Sequence, residues 1–314
     1  MPARIPKDLP AYDRLRQENI PVIAADSQKS NINQLPELNF LLLNLMPTKI
    51  KTECQIIRLL SNTSYMVNVE LLHPASHEPK NVDSAHIDKF YKTFSEIAEK
   101  DFDGLIITGA PVEHLRFEEV DYWRELQQII DWSYEHVIST LFICWGAQAA
   151  LYHHYNIDKY PRENKLFGVF PHRTKNKKDP LLQGFDDRIL IPHSRHTKNK
   201  IEDIENLREL KTLIYSEKAG LHLAARRDKS QIFQTGHFEY DANTLKQEYE
   251  RDRDKGLDIK IPKNYFPEDD PARKPRIRWR AHGQLFYNNW LNLINTRKNM
   301  DRSVRESRQF CDIV

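Results

Sequence analysis

The feature that most restricts how this chain can fold is an alternation, set from about residue 38, of continuous apolar runs with amphipathic stretches. "LNFLLLNLM" (38 to 46) is almost unbroken in apolar residues, as a strand is when both faces of its sheet are covered. "MVNVELL" (66 to 72), "DGLIITGAP" (103 to 111) and "TLFIC" (140 to 144) read as three more strands. Helical stretches separate them at 52 to 62, about 86 to 99, and 117 to 136, the last with Val120, Trp123, Leu126 and Ile130 on one face. Strand, helix, strand in repetition predicts an α/β fold, an open, doubly wound, mostly parallel sheet flanked by helices.

The second half is less regular. Short strands are expected at 166 to 170, 188 to 192, 211 to 217, 221 to 227 and 230 to 236, spaced closely enough for antiparallel pairing. A helix from about 241 to 255 ends before Gly256, a proline-rich irregular arm follows, and a last helix is expected near 281 to 296. This organisation predicts an N-terminal arm over 1–37 that wraps another surface, one α/β domain over 38–296, and a charged, frayed tail over 297–314.

Several function classes are excluded early. With 39% hydrophobic and 29% charged residues and a net charge of +2, the balance is too mild for nucleic acid as the main partner. No run of about 18 apolar residues and no signal peptide are present, so no membrane association and a cytoplasmic location are expected. Cys54, Cys144 and Cys311 lack metal-ligand spacing, and among thirteen histidines there is no H-E-x-x-H pattern, so no metal is expected. Neither glycine-rich phosphate cradle occurs among the nine glycines.

"STLFICWGAQAA" (139 to 150) places Cys144 where a strand stops and a helix starts. A side chain there projects from the carboxyl edge of the sheet, where open α/β folds carry their sites. A helix opening at Trp145 aims its free N–H groups and positive dipole end at the sulfur, favouring thiolate, and the same amides suit an oxyanion. Taken alone, the stretch leaves Cys144 evenly balanced between nucleophile and packed core thiol, since Gly146 supplies the small residue on one side of an elbow but Phe142 occupies the other. "SQIFQTGHFEYD" adds a base. His237 falls just past a strand end, and Glu239, two residues on, is placed to accept the other ring N–H and fix the tautomer.

At this point the residues resemble a family. "LNLMPTKIKTECQIIRLLSNT", "FDGLIITGAPVE", "STLFICWGAQAAL", "PHSRH", "TGHFEYDANTLKQEYERD" and "NYFPEDDP" are together similar to the homoserine O-acyltransferases of the methionine pathway, the trans-acetylase/trans-succinylase family. The resemblance runs from residue 1 to about 296. It implies a fold similar to class I glutamine amidotransferases, a homodimer, and a triad of nucleophile Cys144, base His237 and carboxylate Glu239. It also implies amino-acid substrate contacts at Lys165, Ser194 and Arg251, the last a fork-shaped donor for an α-carboxylate. Backbone N–H of Trp145, with Lys49 nearby, is expected to shape the oxyanion site.

In the family the position held here by Glu113 separates succinyl users, which have glycine, from acetyl users, which have glutamate, so the resemblance implies acetyl-CoA as donor and L-homoserine as acceptor. No permanently bound cofactor is expected, acetyl-CoA being a co-substrate. Succinyl-CoA as donor and L-serine as acceptor are the near alternatives. A glutamine amidotransferase-type cysteine hydrolase is the more distant one, and a non-enzymatic protein with a reactive elbow cysteine would need neither His237 nor Glu239. The basic run "PHRTKNKK" (171 to 178) is a candidate surface for coenzyme A phosphates.

Overall fold

The structure, a computed structural model, describes residues 2–27, 36–76 and 84–311, with side chains through 300. The predicted alternation is present. The first half comprises β1 (Ala3–Ile5), α1 (Pro10–Gln17), β2 (Val22–Ala24), β3 (Glu37–Leu43), α2 (Lys49–Leu60), β4 (Met66–Leu72), α3 (Ser84–Phe90), β5 (Tyr91–Lys92), β6 (Phe102–Ile107), α4 (Trp123–His136), β7 (Val137–Ile143) and α5 (Trp145–Tyr155). The second half comprises β8 (Tyr160–Thr174), β9 (Arg188–Lys198), α6 (Ile201–Glu205), β10 (Leu210–Ser216), β11 (Gly220–Arg226), β12 (Gln231–Gln234), α7 (Thr244–Asp254) and α8 (Arg280–Cys311).

All twelve strands join one sheet in the order β2-β1-β4-β3-β6-β7-β12-β11-β10-β8-β9, with β5 beside β4. From β2 to β12 every pairing is parallel, and from β12 to β9 every pairing is antiparallel. The two-residue period of the strands divides the apolar side chains between two layers. Phe40 and Leu42 join the core containing Ile56 and Ile57 of α2 and Trp290 of α8, whereas Leu41 and Leu43 join the core beneath α4 and α5. α8 is fixed to its face by Trp290, whose Nε1 donates to Ser139 Oγ at 2.8 Å and whose ring meets Phe40 edge-on at 5.3 Å.

Four boundaries differ from the sequence reading, each for a visible reason. The expected N-terminal arm is, over residues 2–27, a β-α-β piece that extends the sheet edge through β1 and β4. Arg58 locks it down, donating to both oxygens of Glu18 at 2.7 and 2.9 Å and to Asp241 at 2.7 Å. The helix expected over 86 to 99 stops at Phe90, because the Tyr91 hydroxyl turns inward to donate to Glu53 at 2.6 Å, and Thr93 with Glu96 then caps a separate turn. β8 is fifteen residues long rather than five, since β9 pairs with it over most of its length. The last helix does not end at 296; Lys298 Nζ donates to Asp103 Oδ2 at 2.7 Å and to the Glu37 carbonyl at 2.9 Å, carrying α8 past the sheet edge to Cys311. Among the described residues no helix is long and apolar enough to cross a membrane.

Candidate active site

β7 delivers Cys144 to the carboxyl edge of the parallel half-sheet. The residue has φ 52° and ψ −114°, a backbone conformation that side-chain-bearing residues seldom adopt, and α5 begins immediately after it. Two glycines make room for this elbow. A Cβ on Gly146 would lie 2.6 Å from the Thr108 carbonyl oxygen and 3.0 Å from that of Ile107, so α5 abuts the end of β6 only with glycine there. A Cβ on Gly109 would lie 3.2 Å from Cys144 Cβ. Phe142, the residue at odds with a small-residue elbow, lies stacked on Phe233 at 5.5 Å across the register pair of β7 and β12. Its bulk belongs to the core under α5, and the steric demand of the turn falls on Gly146 instead.

β12 supplies the partner groups. The Cys144 N–H donates to the Gln234 carbonyl at 2.6 Å, while the Gln234 side chain donates to Glu239 Oε2 at 3.3 Å, so one residue braces both Cys144 and Glu239. Gly236 then lets the chain pass close over buried histidines, where a Cβ would come 2.6 Å from His193 Cε1, and its N–H donates to His222 Nδ1 at 3.2 Å. His237 follows, its N–H tied to the Pro192 carbonyl at 2.9 Å.

His237 Nδ1 meets Glu239 Oε1 at 2.5 Å, and the ring lies flat against Tyr240 with centroids 4.1 Å apart. The outer nitrogen, Nε2, is buried without a partner of full hydrogen-bond geometry, and Cys144 is the neighbour close enough to act on the ring's charge. Burial disfavours the imidazolium, but the Glu239 carboxylate and the Cys144 sulfur outweigh it, and the pKa is pushed up to about 10. Trp145, as the first helical residue, has no acceptor for its N–H within α5, which leaves that donor beside the sulfur.

These groups open on a cleft of about 350 Å³ whose lining includes Cys144, His237, Glu239, Glu113, Lys165, Ser194, Arg251 and Trp145. Lys165 Nζ donates to Glu248 Oε1 at 2.7 Å and to Asp252 Oδ2 at 3.4 Å, and Ser194 Oγ donates to the same Glu248 oxygen at 2.6 Å. Arg251 Nε donates to Asp252 Oδ1 at 2.7 Å. Glu113 accepts the His196 N–H at 2.8 Å and faces the Thr197 hydroxyl at 3.3 Å. Each of the expected site residues except Lys49 therefore reaches one cavity.

Lys49 does not. Its ammonium donates to the Asn44 carbonyl, lies 5.5 Å from the Tyr91 ring centroid, and is lowered to about 8 by burial, partly offset by Glu53. It is not among the cleft's lining residues, so the oxyanion role expected for it has no geometric support. The basic run 171–178 is also absent from the cleft; Arg173, Lys175 and Lys177 are paired with Glu217, Glu205 and Asp187. Sequence reading missed Gln234, Tyr240, Glu248 and Asp252. The last two stand at i and i+4 on α7, on the face that meets Lys165, a spacing visible in "QEYERD" but unreadable without the strand that it faces.

A strained strand-to-helix cysteine, braced to a His-Glu pair, in a cleft also lined by Lys165, Ser194, Glu248, Arg251 and Asp252, agrees with what comparison of the whole chain finds. The family model of homoserine O-succinyltransferases matches residues 2–300. The chain belongs to that family. It is a homoserine acyltransferase, 54% identical over 292 residues to the homoserine O-acetyltransferase of Acetivibrio thermocellus, covering 93% of this chain and 95% of that protein. To the homoserine O-acetyltransferase of Petrotoga mobilis it is 53% identical over 93% and 94% of the two chains. The acyltransferase also superposes on a glutamine amidotransferase from Thermotoga maritima with a TM-score of 0.52, at 14% identity over 82% of this chain and 98% of the other, a likeness of fold.

Proposed function

We propose that this acyltransferase moves the acetyl group of acetyl-CoA to the hydroxyl of L-homoserine by way of acetyl-Cys144. The observation that carries the reading is the convergence of Cys144, His237 and Glu239 with Glu113 and the Lys165, Ser194, Arg251 group on one cleft. The raised pKa of His237 keeps its ring protonated in the resting site, and the thiolate is the nucleophilic form of a cysteine.

In the first half-reaction the Cys144 thiolate adds to the thioester carbonyl, and the Trp145 N–H stabilises the oxyanion. Collapse expels coenzyme A thiolate, which takes the proton from His237 Nε2. One thioester is exchanged for another, so the acyl group keeps its transfer potential. In the second half-reaction the now neutral Nε2 removes the proton of the homoserine hydroxyl as its oxygen attacks acetyl-Cys144, and the sulfur departs as thiolate beside the regenerated imidazolium. Glu239 holds the ring through both steps without itself taking the proton. The polar end of the cleft suits a zwitterionic acceptor, with Arg251 for the α-carboxylate and Glu248 and Asp252 as counter-charges for the α-ammonium.

Glu113 favours the acetyl donor over the succinyl donor by exclusion. At about 4 Å and an effective dielectric near 20, two carboxylates repel by about 4 kcal/mol, roughly a thousandfold in selection. The relatives named above are acetyltransferases by name, and they support this choice although the family model carries the succinyl name.

The test is thiol release with acetyl-CoA and succinyl-CoA, each against homoserine and serine, with mass spectrometry of the protein after acetyl-CoA alone. One acetyl group on the Cys144 peptide and parallel double-reciprocal lines are expected. Intersecting lines without any acetyl-enzyme would exclude the covalent route.

A further inference from the structure

The catalytic cleft adjoins a second cavity of about 540 Å³, and the residues that line both are Glu113, His114 and His196. They form a wall common to the two cavities. Glu113 and His114 come from the loop after β6, and His196 comes from β9. One ligand-type atom from each lies within 4.8 Å of the others, and the two imidazole rings are 4.7 Å apart.

Two further observations separate this cluster from a chance meeting of polar groups. Glu113 is already aimed, its Oε2 accepting the His196 N–H at 2.8 Å and lying 3.3 Å from the Thr197 hydroxyl. Such outer hydrogen bonds orient a ligating carboxylate. Among the described residues, moreover, neither imidazole spends a ring nitrogen on a hydrogen bond. The other cluster of comparable composition, Asp131, His153 and His154, is different: both Nε2 atoms are used on Asp131 at 2.7 and 2.9 Å, and the Nδ1 atoms on Gln127 and Gln231.

We propose that Glu113, His114 and His196 form a site for a divalent transition-metal ion such as Zn²⁺ in the wall shared by the two cavities, and that its occupancy suppresses acetyl transfer. Two imidazoles and one carboxylate suit an ion of borderline softness, and three protein ligands leave a fourth position for water from either cavity. A hydrated ion there occupies space in the cleft that these three residues line together with Cys144 and His237. The effect on activity rests on the reading of the cleft given under Proposed function, whereas the binding does not.

Zn²⁺ is titrated into the full-length Cys144→Ser protein in competition with a chromogenic chelator, the serine removing the thiolate as a rival ligand. One equivalent is expected to bind. Affinity should fall at least about tenfold in a His114→Asn, His196→Asn double variant on the same background and stay unchanged with His153→Asn. The proposed site is overturned if the Cys144→Ser protein binds no Zn²⁺, if the double variant binds as tightly, or if His153→Asn is the change that abolishes binding. In the unsubstituted enzyme acetyl transfer is expected to fall over the same Zn²⁺ range, and to fall less in the His114→Asn, His196→Asn double variant that keeps Cys144; full activity at saturation, or equal fractional inhibition of the two proteins, would overturn the inhibitory role. Because the Cys144→Ser protein performs no acyl transfer, its binding result stands apart from any failure of the donor reading.

Discussion

His237 and Glu239, two residues apart in sequence, meet Nδ1 to Oε1 at 2.5 Å while Gln234 holds the far oxygen of the carboxylate. This contact fixes which ring nitrogen is left for chemistry and gives the site its pH dependence. The folded pKa of His237 is raised to about 10, so its contribution to stability is complete below its unfolded value of about 6.5 and is lost as pH rises through about 10. Melting temperature should therefore decline between pH 7 and 10, and decline less in Glu239→Gln. Differential scanning fluorimetry across that window checks it; equal slopes for the two proteins would refute the assignment.

Cys144 sits at φ 52° and ψ −114°, a sparsely populated conformation that costs a side-chain-bearing residue about 1–3 kcal/mol. Cys144→Gly and Cys144→Ala should both be inactive, yet the glycine variant should be the more stable by about 1 kcal/mol in urea unfolding. An alanine variant of equal or greater stability would show that the elbow is unstrained.

Gly146→Ala should damage the site without touching a reacting group. Its new Cβ would stand 2.6 Å from the backbone oxygen of Thr108, which has no free rotamer with which to yield. We expect a loss of about 1–3 kcal/mol in stability and a slower acylation of Cys144, read by thiol release in the absence of homoserine.

Glu113→Gln keeps the shape and removes the charge. The ratio of kcat/KM for succinyl-CoA to that for acetyl-CoA should rise, by up to roughly a thousandfold if the full repulsion of about 4 kcal/mol is relieved. An unchanged ratio would mean that the carboxylate does not read the donor.

Glu248→Gln weakens the charge that anchors both Lys165 and Ser194, at 2.7 and 2.6 Å. Homoserine KM should rise roughly 10- to 100-fold, as for loss of a charged hydrogen bond, with acetylation of Cys144 by acetyl-CoA preserved. Stopped-flow measurement of each half-reaction separates the two effects.

The strands and helices of the parallel half were legible because apolar period and run length are local properties, and Leu41 and Leu42 fall to opposite cores as a period of two requires. Residues 2–27 were misread because short, proline-bounded β1 and β2 carry little period of their own and owe their pairing to β4 and to Arg58. At the site, the amino-acid sequence by itself offered Cys144, His237 and Glu239 as candidates, with their roles implied by the family resemblance. Only the tertiary structure decided that Gly146 rather than Phe142 bears the packing of the elbow, that Lys49 turns away toward Asn44, and that Glu248 and Asp252 meet Lys165 in the cleft. The physical reason is range: period and turn chemistry act over a few neighbours, whereas Gly146 abuts Thr108, Lys49 packs against Tyr91, and Lys165 reaches Glu248 and Asp252 across tens of residues, meeting only when the sheet is closed.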